Sequence, residues 1–588
     1  MHAAALPEVA DMAAVIGMND TTAAPAAGWF ERHRARLDAA SRACRVRDCW
    51  SPFPDLPAKY PDAIAAQAQG RAAFEARLGQ PFCFDLPMPG DAPAELAGHE
   101  VSPYTRQPLG IHYPVPAIDA LFAAAQSAMP AWAEADPELR IGVLMEVVER
   151  LYAKHLFEIA SAVMHTAGQS ANMAYAGSGV NALDRAIEAL VHAHTAMQAV
   201  PRRARWQRAF GSTQIALDKT WRLVPRGVAV CFTCASFPTW NAWPSMMASL
   251  ATGNAVVVKP HPATVLPMAI SVDVFRRVLA EAGFDANLVT MALDTPEAPI
   301  GKALIAHPAC AIVDFTGSTR FGQWVERHAH PALAFTETAG CNTVVLDSFV
   351  DEAAFDAAIR SLATTACMFS AQMCTSPQNF YVADAGVKVG TQSMPFDKVG
   401  ERLAAAIREL VGDARRAAMI LACIQADSTL ALVAQIEARS REHGRVLLAP
   451  GPYTHPEFAA ARTCTPLVAE VGTAQRALYG EERFGPISFV IRSKDPLAEA
   501  TRDVREFGGL TAFVYSTDEA FIARAEAAYA RAGAQLTINL SGPMPLNFAA
   551  AYSDYHVTGL NPAGNASLTD IAFVASRFRI AQSRRPAR

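Results

Sequence analysis

Val228-Ala229-Val230-Cys231-Phe232 is the first of four short apolar runs, and together these runs decide the fold. The other three are Ala255-Val256-Val257-Val258, Leu288-Val289-Thr290-Met291 and Ala311-Ile312-Val313-Asp314-Phe315. Helical segments separate the first three runs along the chain. Apolar strands that alternate with helices are typical of a parallel sheet covered on both faces. The pattern therefore predicts an α/β fold, in which ligands bind at the carboxyl ends of the strands.

The segments on either side of these runs follow other patterns. Residues 1–99 contain two proline-rich stretches around short helical segments, which is typical of an extension that packs over a larger body. Helical spacing of apolar residues then continues from about 118 to 199. Polar and apolar residues alternate between 210 and 224, and this alternation predicts a two-stranded ribbon.

The composition limits the possible classes of protein. The 588 residues include 51 Lys and Arg against 56 Asp and Glu, so the formal net charge is −5. This balance argues against a nucleic-acid-binding protein, because phosphate neutralisation requires clustered cations. No segment approaches the roughly 20 apolar residues of a membrane span, and the N-terminus lacks the basic region of a signal peptide. The eleven scattered cysteines indicate a reducing compartment, so we expect a cytoplasmic protein.

Several ionisable side chains stand where chemistry is possible, although each also has an ordinary structural explanation. Lys259 ends the second apolar run, where a lysine donates to nucleotide ribose hydroxyls or is simply solvated. Glu337 lies in a mildly apolar stretch that favours a general base, the alternative being an exposed loop glutamate. Cys374 is a candidate nucleophile, and Cys367 is a rival for that role. The acid pair Glu481-Glu482 precedes a turn and is either functional or part of a charged loop.

Two further patterns involve glycine and cysteine. Gly317 lies where the fourth apolar run turns into a helix, and free backbone N–H groups at a helix start favour a phosphate. Many strand-to-helix turns contain a glycine, so this signal is weak alone. Cys231 and Cys234 have the spacing of a metal or redox pair, but no second pair accompanies them in the sequence. We therefore predict no metal site and interpret both as packing residues, with Cys234 near the pocket.

In this order, the motifs resemble those of the aldehyde dehydrogenase superfamily from about Ser102 to the C-terminus. The resembling segments are Ser102-Pro103-Tyr104-Thr105-Arg106-Gln107-Pro108-Leu109-Gly110, Ala131-Trp132, Ala251-Thr252-Gly253-Asn254-Ala255-Val256-Val257-Val258-Lys259-Pro260, Phe315-Thr316-Gly317-Ser318-Thr319, Ala371-Gln372-Met373-Cys374-Thr375 and Glu481-Glu482-Arg483-Phe484-Gly485-Pro486. Several ordered motifs at compatible spacing are a far more specific signal than any one of them.

The resemblance implies a role for each candidate residue. Cys374 would be the nucleophile and Glu337 the general base, whereas Cys367 would only pack. The residues implied to hold a dinucleotide are Lys259, Gly317, Ser318, Gly322, Glu482 and Phe484. In the implied reaction the thiolate attacks an aldehyde, and the resulting thiohemiacetal passes hydride to the cofactor and becomes a thioester. Water activated by Glu337 then releases the acid.

This sequence departs from the family pattern at three positions. The asparagine that usually donates to the oxyanion is replaced by Ser236, and Asn241 is the lower-ranked alternative donor. Loss of one oxyanion donor lowers rates by about 10²–10³. The family segment around the base has become Glu337-Thr338-Ala339-Gly340-Cys341. Pro262 stands where many NAD-preferring relatives have a glutamate, and His261 adds a possible positive charge, so we predict NADP with NAD as a possible alternative.

Within the superfamily, the chain resembles the PaaN-type proteins of bacterial phenylacetate degradation. The segments that carry this likeness are Ser236-Phe237-Pro238-Thr239-Trp240-Asn241, Val257-Val258-Lys259-Pro260-His261-Pro262 and Phe369-Ser370-Ala371-Gln372-Met373-Cys374-Thr375. The likeness implies oxidation of a CoA-linked semialdehyde formed by ring opening. Two alternatives stay open, a CoA-acylating aldehyde dehydrogenase and a catalytically weak or silent binding subunit.

The resemblance also implies a division of the chain. Residues 1–99 would form the N-terminal extension, 100–206 with 226–336 the nucleotide-binding domain, and 337–554 the catalytic domain. Residues 207–225 with 555–588 would form a β-ribbon oligomerisation element. We therefore expect two doubly wound parallel-sheet domains in a homodimer or homotetramer, with the substrate bound in the cleft between them.

Overall fold

A computed structural model of the chain describes residues 26, 28–90, 94–338, 340–542, 550–556, 558–561 and 570–587. The N-terminal residues that lack the features of a signal peptide lie outside these described residues. No helix in the described part of the chain is long and apolar enough to cross a lipid bilayer.

The first sheet has five parallel strands. In spatial order these are Val289–Met291, Ala255–Lys259, Val228–Phe232, Cys310–Gly317 and Leu333–Thr338. The first four confirm the strands predicted from the apolar runs, whereas the fifth was not predicted. The strands Val228–Phe232 and Ala255–Lys259 are buried along their whole length because helices cover both faces of the sheet.

The second sheet has seven strands. Their spatial order is Arg445–Leu448, Leu467–Gly472, Ile487–Ser493, Pro377–Ala383, Asn342–Leu346, Thr511–Tyr515 and Gln535–Ile538. Only Arg445–Leu448 runs antiparallel, at one edge. The two α/β sheets together confirm the predicted fold class.

The chain passes directly from the last strand of the first sheet into Asn342–Leu346 of the second. This connection turns the carboxyl edge of the five-stranded sheet towards the amino edge of the seven-stranded sheet. Ligands of parallel sheets bind beyond the carboxyl ends of strands. The arrangement therefore creates a cleft between the two sheets.

A three-stranded antiparallel sheet projects from these layers. It contains Arg203–Phe210, Thr213–Pro225 and Phe578–Pro586, with Thr213–Pro225 in the middle. The ribbon therefore begins four residues before the predicted start at 207, and the C-terminal strand adds a third member. Two small sheets complete the strands: Ala94–Ala97 with His112–Val115, and Ser348–Phe349 with Val387–Val389 and Gln392–Met394.

Helices cover the sheets. The α-helices are Trp29–Val46, Ala63–Arg77, Ile118–Glu134, Pro137–Arg150, Leu156–Ala167, Ala171–Tyr175, Ala182–Gln198, Pro238–Ala251, Leu266–Glu281, Gly301–Ala306, Thr319–His328, Glu352–Cys367, Phe396–Leu410, Ala414–Leu421, Asp427–His443, Arg476–Tyr479, Pro496–Phe507, Glu519–Ala532 and Ile571–Ala575. Trp29–Val46 belongs to the predicted extension and packs against Pro137–Arg150 with buried aromatic and aliphatic side chains. The described part of the extension is therefore integrated into the main core.

Candidate active site

A cavity of about 2190 Å³ occupies the cleft between the two sheets. Its walls include eight of the nine residues predicted for the site: Ser236, Lys259, Gly317, Ser318, Glu337, Cys374, Glu482 and Phe484. Gly322 is not among its lining residues. The fold therefore brings together side chains that are up to about 250 positions apart in the sequence.

Three side chains meet at the centre of the cavity. The Nε2 atom of His556 lies 2.8 Å from Oε1 of Glu337 and 3.6 Å from Sγ of Cys374. Glu337 and His556 are buried, and Cys374 is half-buried at the cavity wall. Nδ2 of Asn241 donates to the second carboxylate oxygen of Glu337 at 3.3 Å. Both oxygens of Glu337 are therefore held by neighbouring side chains.

The surroundings of Cys374 keep its thiol protonated in the resting state. Burial raises the pKa of Cys374 well above its ordinary value, and the nearby Glu337 carboxylate, the Cys234 thiol and the Glu482 carboxylate raise it further. A thiol needs a base or an electropositive partner to become a nucleophile. In the resting site such a base would have to be one of the groups in contact with the sulfur.

The loop before Cys374 has an unusual backbone. Phe369, Ser370 and Ala371 have φ angles of 49°, 50° and 51°, a left-handed conformation that is unfavourable for residues with a side chain. Side-chain contacts hold the loop in place. Nδ2 of Asn342 donates to the carbonyl oxygens of Cys374 and Ser376, each at 2.8 Å. The position of the thiol is thus fixed from the start of a neighbouring strand.

The other candidate cysteines are placed differently. Cys367 is fully buried at the end of the helix Glu352–Cys367 and does not line the cavity. Cys231 is buried in its strand. Cys234 does line the cavity, where its thiol contacts Oδ1 of Asn241 at 3.3 Å. These positions agree with packing roles for Cys367 and Cys231 and with the predicted placement of Cys234 near the pocket.

Ser236 and Asn241 lie on the same side of the cavity as Glu337. The hydroxyl of Ser236 is 3.9 Å from Sγ of Cys234, and its backbone carbonyl accepts from Nε2 of Gln169 at 2.7 Å. Asn241 lies in the helix Pro238–Ala251, which begins with proline at its first position. Because the side-chain amide of Asn241 donates a hydrogen bond to Glu337, the hydroxyl of Ser236 remains the preferred candidate for the oxyanion donor.

The turn after the fourth strand has the form of a phosphate site. Ser318 caps the helix Thr319–His328 by accepting from the backbone N–H of Phe321 at 3.4 Å. The free N–H groups at this helix start carry partial positive charge. Gly317 and Ser318 line the cavity here. Gly322 instead allows the helix to approach the last strand, because a Cβ at Gly322 would lie 2.2 Å from Thr338.

Lys259 and Asp294 form an ion pair in the same part of the cavity, with Nζ and Oδ1 separated by 2.5 Å. Burial lowers the pKa of Lys259 and outweighs the opposing effect of Asp294. Lys302 and Arg320 also line this cavity. A helix start, hydrogen-bonding groups and three cations together fit the phosphates and ribose of a dinucleotide.

Part of the N-terminal extension also lines the cavity. Cys49, Trp50, Ser51, Phe53, Asp55, Leu56 and Pro57 line the cavity. Phe53 stacks on Tyr152 with ring centroids 4.2 Å apart, and Trp50 meets Tyr552 edge-on at 5.0 Å. The extension is therefore part of the cavity wall.

Comparison with known proteins identifies the family. Residues 99–546 match the profile of the aldehyde dehydrogenase family. The chain belongs to the aldehyde dehydrogenase family. It is 28% identical over 424 residues to a vanillin dehydrogenase from Pseudomonas fluorescens, covering 68% of this chain and 77% of that protein. As a member of this family, it oxidises aldehydes to acids.

Solved structures agree with this family membership. A structure described as an NAD-dependent aldehyde dehydrogenase from Burkholderia multivorans has a TM-score of 0.90 and 42% identity, and the match covers 95% of this chain and 99% of that chain. A 1-pyrroline-5-carboxylate dehydrogenase from Thermus with bound NAD has a TM-score of 0.70 at 19% identity, covering 92% and 99%. The second likeness reflects the shared fold alone.

Three features of this aldehyde dehydrogenase site were missed by sequence reasoning. They are His556, Asn342 and Asp294. His556 stands alone in the sequence, without a motif around it, and lies 182 positions from Cys374. Asn342 follows Glu337 by five positions, and this closeness in the sequence was the only indication that it belongs to the site.

From the raised pKa of Glu482 we predict that the affinity for the dinucleotide depends on pH. Burial and the Glu337 carboxylate raise the pKa of Glu482 to about 7, so the ionised acceptor is present above about pH 7 and is lost below it. If the ionised form holds a ribose, the dissociation constant rises by about tenfold between pH 8 and pH 6. Fluorescence titration measures this change. Glu482→Gln should bind weakly with a flat profile, and an unchanged slope in that variant would assign the effect to another group.

Proposed function

We propose that the chain catalyses NADP-dependent oxidation of an aldehyde to a carboxylic acid through a thiohemiacetal and a thioester on Cys374. The observation that carries this proposal is the shared cavity. It joins the thiol and the Glu337 carboxylate to a helix start and a cation cluster that fit a dinucleotide. A bound nicotinamide ring supplies the hydride acceptor.

Each step is assigned to a side chain of the cavity. The Cys374 sulfur attacks the carbonyl carbon, and the Ser236 hydroxyl donates to the oxygen on which negative charge develops. After hydride loss the acyl group remains on sulfur as a thioester. Glu337 takes a proton from the attacking water, and collapse of the tetrahedral adduct expels the thiolate and releases the acid.

The retained base favours hydrolysis over the two alternatives. A CoA-acylating enzyme transfers the acyl group to a thiol and needs no carboxylate to activate water. Here Glu337 lies in the cavity with the thiol, and His556 bridges the two groups. The loop residues 369–371 before Cys374 adopt an unfavourable left-handed conformation, which a binding subunit without catalytic activity does not require. Both facts support an active hydrolytic dehydrogenase.

Charge near Lys259 supports NADP as the cofactor. Lys259, Lys302 and Arg320 line the cavity, and Pro262 stands in place of the acidic side chain common in NAD-preferring relatives. NAD is the second candidate, because Asp294 already pairs with Lys259. His261 contributes little positive charge, since burial and Lys259 lower the pKa of His261 to about 4.

Initial rates with NADP and NAD test this choice. We expect kcat/KM to favour NADP, and we expect Arg320→Ala to reduce this preference by about 1 kcal/mol, or fivefold. The exposed Arg415, which is not among the residues that line the cavity, provides the matched control as Arg415→Ala. Equal or better use of NAD by the unmodified enzyme would refute the NADP assignment.

The proposed substrate is a CoA-linked semialdehyde from phenylacetate ring opening. The motif likeness to PaaN-type proteins supports this substrate, and the cavity volume of about 2190 Å³ is compatible with an extended acyl chain beside the dinucleotide. Steady-state assays with a CoA-linked semialdehyde and with the free semialdehyde test the proposal. A kcat/KM that does not distinguish the two would remove the CoA portion from the assignment.

A homodimer or homotetramer is proposed to form through the three-stranded sheet. Four large apolar side chains on this sheet are exposed, at 38% to 55%, and would be covered by a second copy of the chain: Phe210, Ile215, Val224 and Ile580. Light scattering at micromolar concentration tests this, and a monomer would contradict it. We also propose a cytoplasmic location, which is compatible with the eleven free cysteines.

A further inference from the structure

His556 is the side chain of the site with no assigned task. It is 3% exposed and comes from the C-terminal segment 550–556, whereas Glu337 and Cys374 come from the two sheet layers. A single atom, Nε2, contacts both the carboxylate and the sulfur. Such a position is suited to accepting a proton from the sulfur and holding it beside the carboxylate.

The segment that carries His556 is firmly held. Arg185, fully buried in the helix Ala182–Gln198, donates to the carbonyl of Asp554 at 3.1 Å and is paired with Glu188 at 2.5 Å. Glu188 accepts from the backbone N–H of Tyr552 at 3.1 Å. The position of the imidazole is therefore set by buried charge-assisted hydrogen bonds.

Aromatic packing fixes the orientation of the ring. The Trp240 ring meets the imidazole edge-on with centroids 5.0 Å apart, and the Arg185 guanidinium lies over the same tryptophan at 5.6 Å. From the N-terminal extension, Trp50 packs on Tyr552, and Arg47 lies over Tyr555 at 3.9 Å. Contacts of this number and kind indicate a built position for His556.

The charges around the thiol explain why a base is needed there. Glu337, Glu482 and Cys234 all disfavour a thiolate at Cys374. Among the described groups in hydrogen-bond contact with this sulfur, His556 is the one that can become a cation. An imidazolium between the sulfur and Glu337 would offset the carboxylate and stabilise the thiolate.

We propose that His556 is a catalytic base that deprotonates Cys374, an inference that rests on the proposed function of this site. In the neutral ring the proton is on Nδ1, so the lone pair of Nε2 can accept from the thiol. The S–H bond breaks, its electron pair stays on sulfur, and the proton is bound at Nε2. The resulting imidazolium hydrogen-bonds to Oε1 of Glu337. The thiolate attacks the carbonyl carbon, and the displaced π pair moves to oxygen. When the thioester is hydrolysed, the expelled thiolate takes the proton back from Nε2, and the proton that Glu337 takes from water passes to solvent.

Alkylation of Cys374 tests the proposal without requiring turnover. Iodoacetamide is added across a pH series, and modification of the Cys374 peptide is followed by mass spectrometry, which separates it from the other ten cysteines. In the unmodified protein we expect appreciable alkylation near neutral pH. His556→Gln keeps a polar group beside Glu337 but cannot accept the proton, so the neutral-pH rate should fall by about 10²-fold. The two rates should converge at high pH.

Controls separate chemistry from folding. The exposed His443 lies at the end of the helix Asp427–His443, and His443→Gln should leave the alkylation profile unchanged. His556→Ala creates space beside the cavity, and added imidazole should restore part of its neutral-pH rate. An altered unfolding temperature without imidazole rescue would indicate a structural role and overturn the proposal, as would identical profiles for His556→Gln and the unmodified protein.

The outcome also separates this inference from the proposed function. If the alkylation profile depends on His556 but no aldehyde is oxidised, the base is confirmed and the dehydrogenase assignment fails for another reason. If aldehydes are oxidised and the alkylation profile does not depend on His556, the dehydrogenase assignment is supported and His556 is not the base.

Discussion

Cys374→Ala is expected to lower kcat for aldehyde oxidation by about 10⁴-fold or more, the scale on which loss of a nucleophile acts in covalent catalysis. The reason is that alanine cannot form the thiohemiacetal from which hydride leaves. Dinucleotide binding should survive, since the groups that fit the phosphates lie at Ser318 and Lys259. Initial rates and fluorescence titration measure the two properties separately.

The matched control is Cys367→Ala. Cys367 is fully buried at a helix end and does not line the cavity, so activity should change little even if the unfolding temperature falls slightly. Substantial residual turnover in Cys374→Ala, together with loss in Cys367→Ala, would transfer the nucleophile to the other cysteine.

Glu337→Gln is expected to stop the reaction after acylation. Without the carboxylate, the site lacks the proposed base that takes a proton from water. The steady rate should therefore fall by about 10²–10⁴-fold. Acylation does not require that proton transfer, so stopped-flow traces should still show one equivalent of reduced cofactor in a rapid burst. The thioester should then accumulate.

Hydroxylamine provides the control for this variant. It cleaves thioesters without general-base help, so added hydroxylamine should restore turnover in Glu337→Gln but not in Cys374→Ala. A burst that disappears in proportion to the steady rate would mean that Glu337 acts before hydride transfer, for example through its contact with His556.

The parts of the fold that sequence predicted are those with strong local signals. Four apolar runs were identified because strands buried on both faces are apolar at nearly every position. The fifth strand, Leu333–Thr338, was missed because it contains Thr336, Glu337 and Thr338, which interrupt the apolar pattern. The polar residues that disguised this strand include the candidate base itself.

The parts of the site that sequence missed depend on distant contacts. The order of the motifs, and the family resemblance that they carry, predicted that Cys374, Glu337 and Lys259 belong to one site, and all three line the cavity. His556 reaches the site through tertiary packing of the 550–556 segment, and no local pattern records that packing. Gly322 fits the glycine pattern of a phosphate turn but serves helix–strand contact, a distinction that only packing reveals.

Detection of a covalent adduct tests directly whether Cys374 is the nucleophile that carries the acyl group. Glu337→Gln is mixed with an aldehyde and NADP, quenched in acid, digested and analysed by mass spectrometry. We expect an acyl group on the Cys374 peptide in an amount equal to the NADPH formed. NADPH formation without an adduct on this cysteine, or an adduct on a different residue, would contradict it.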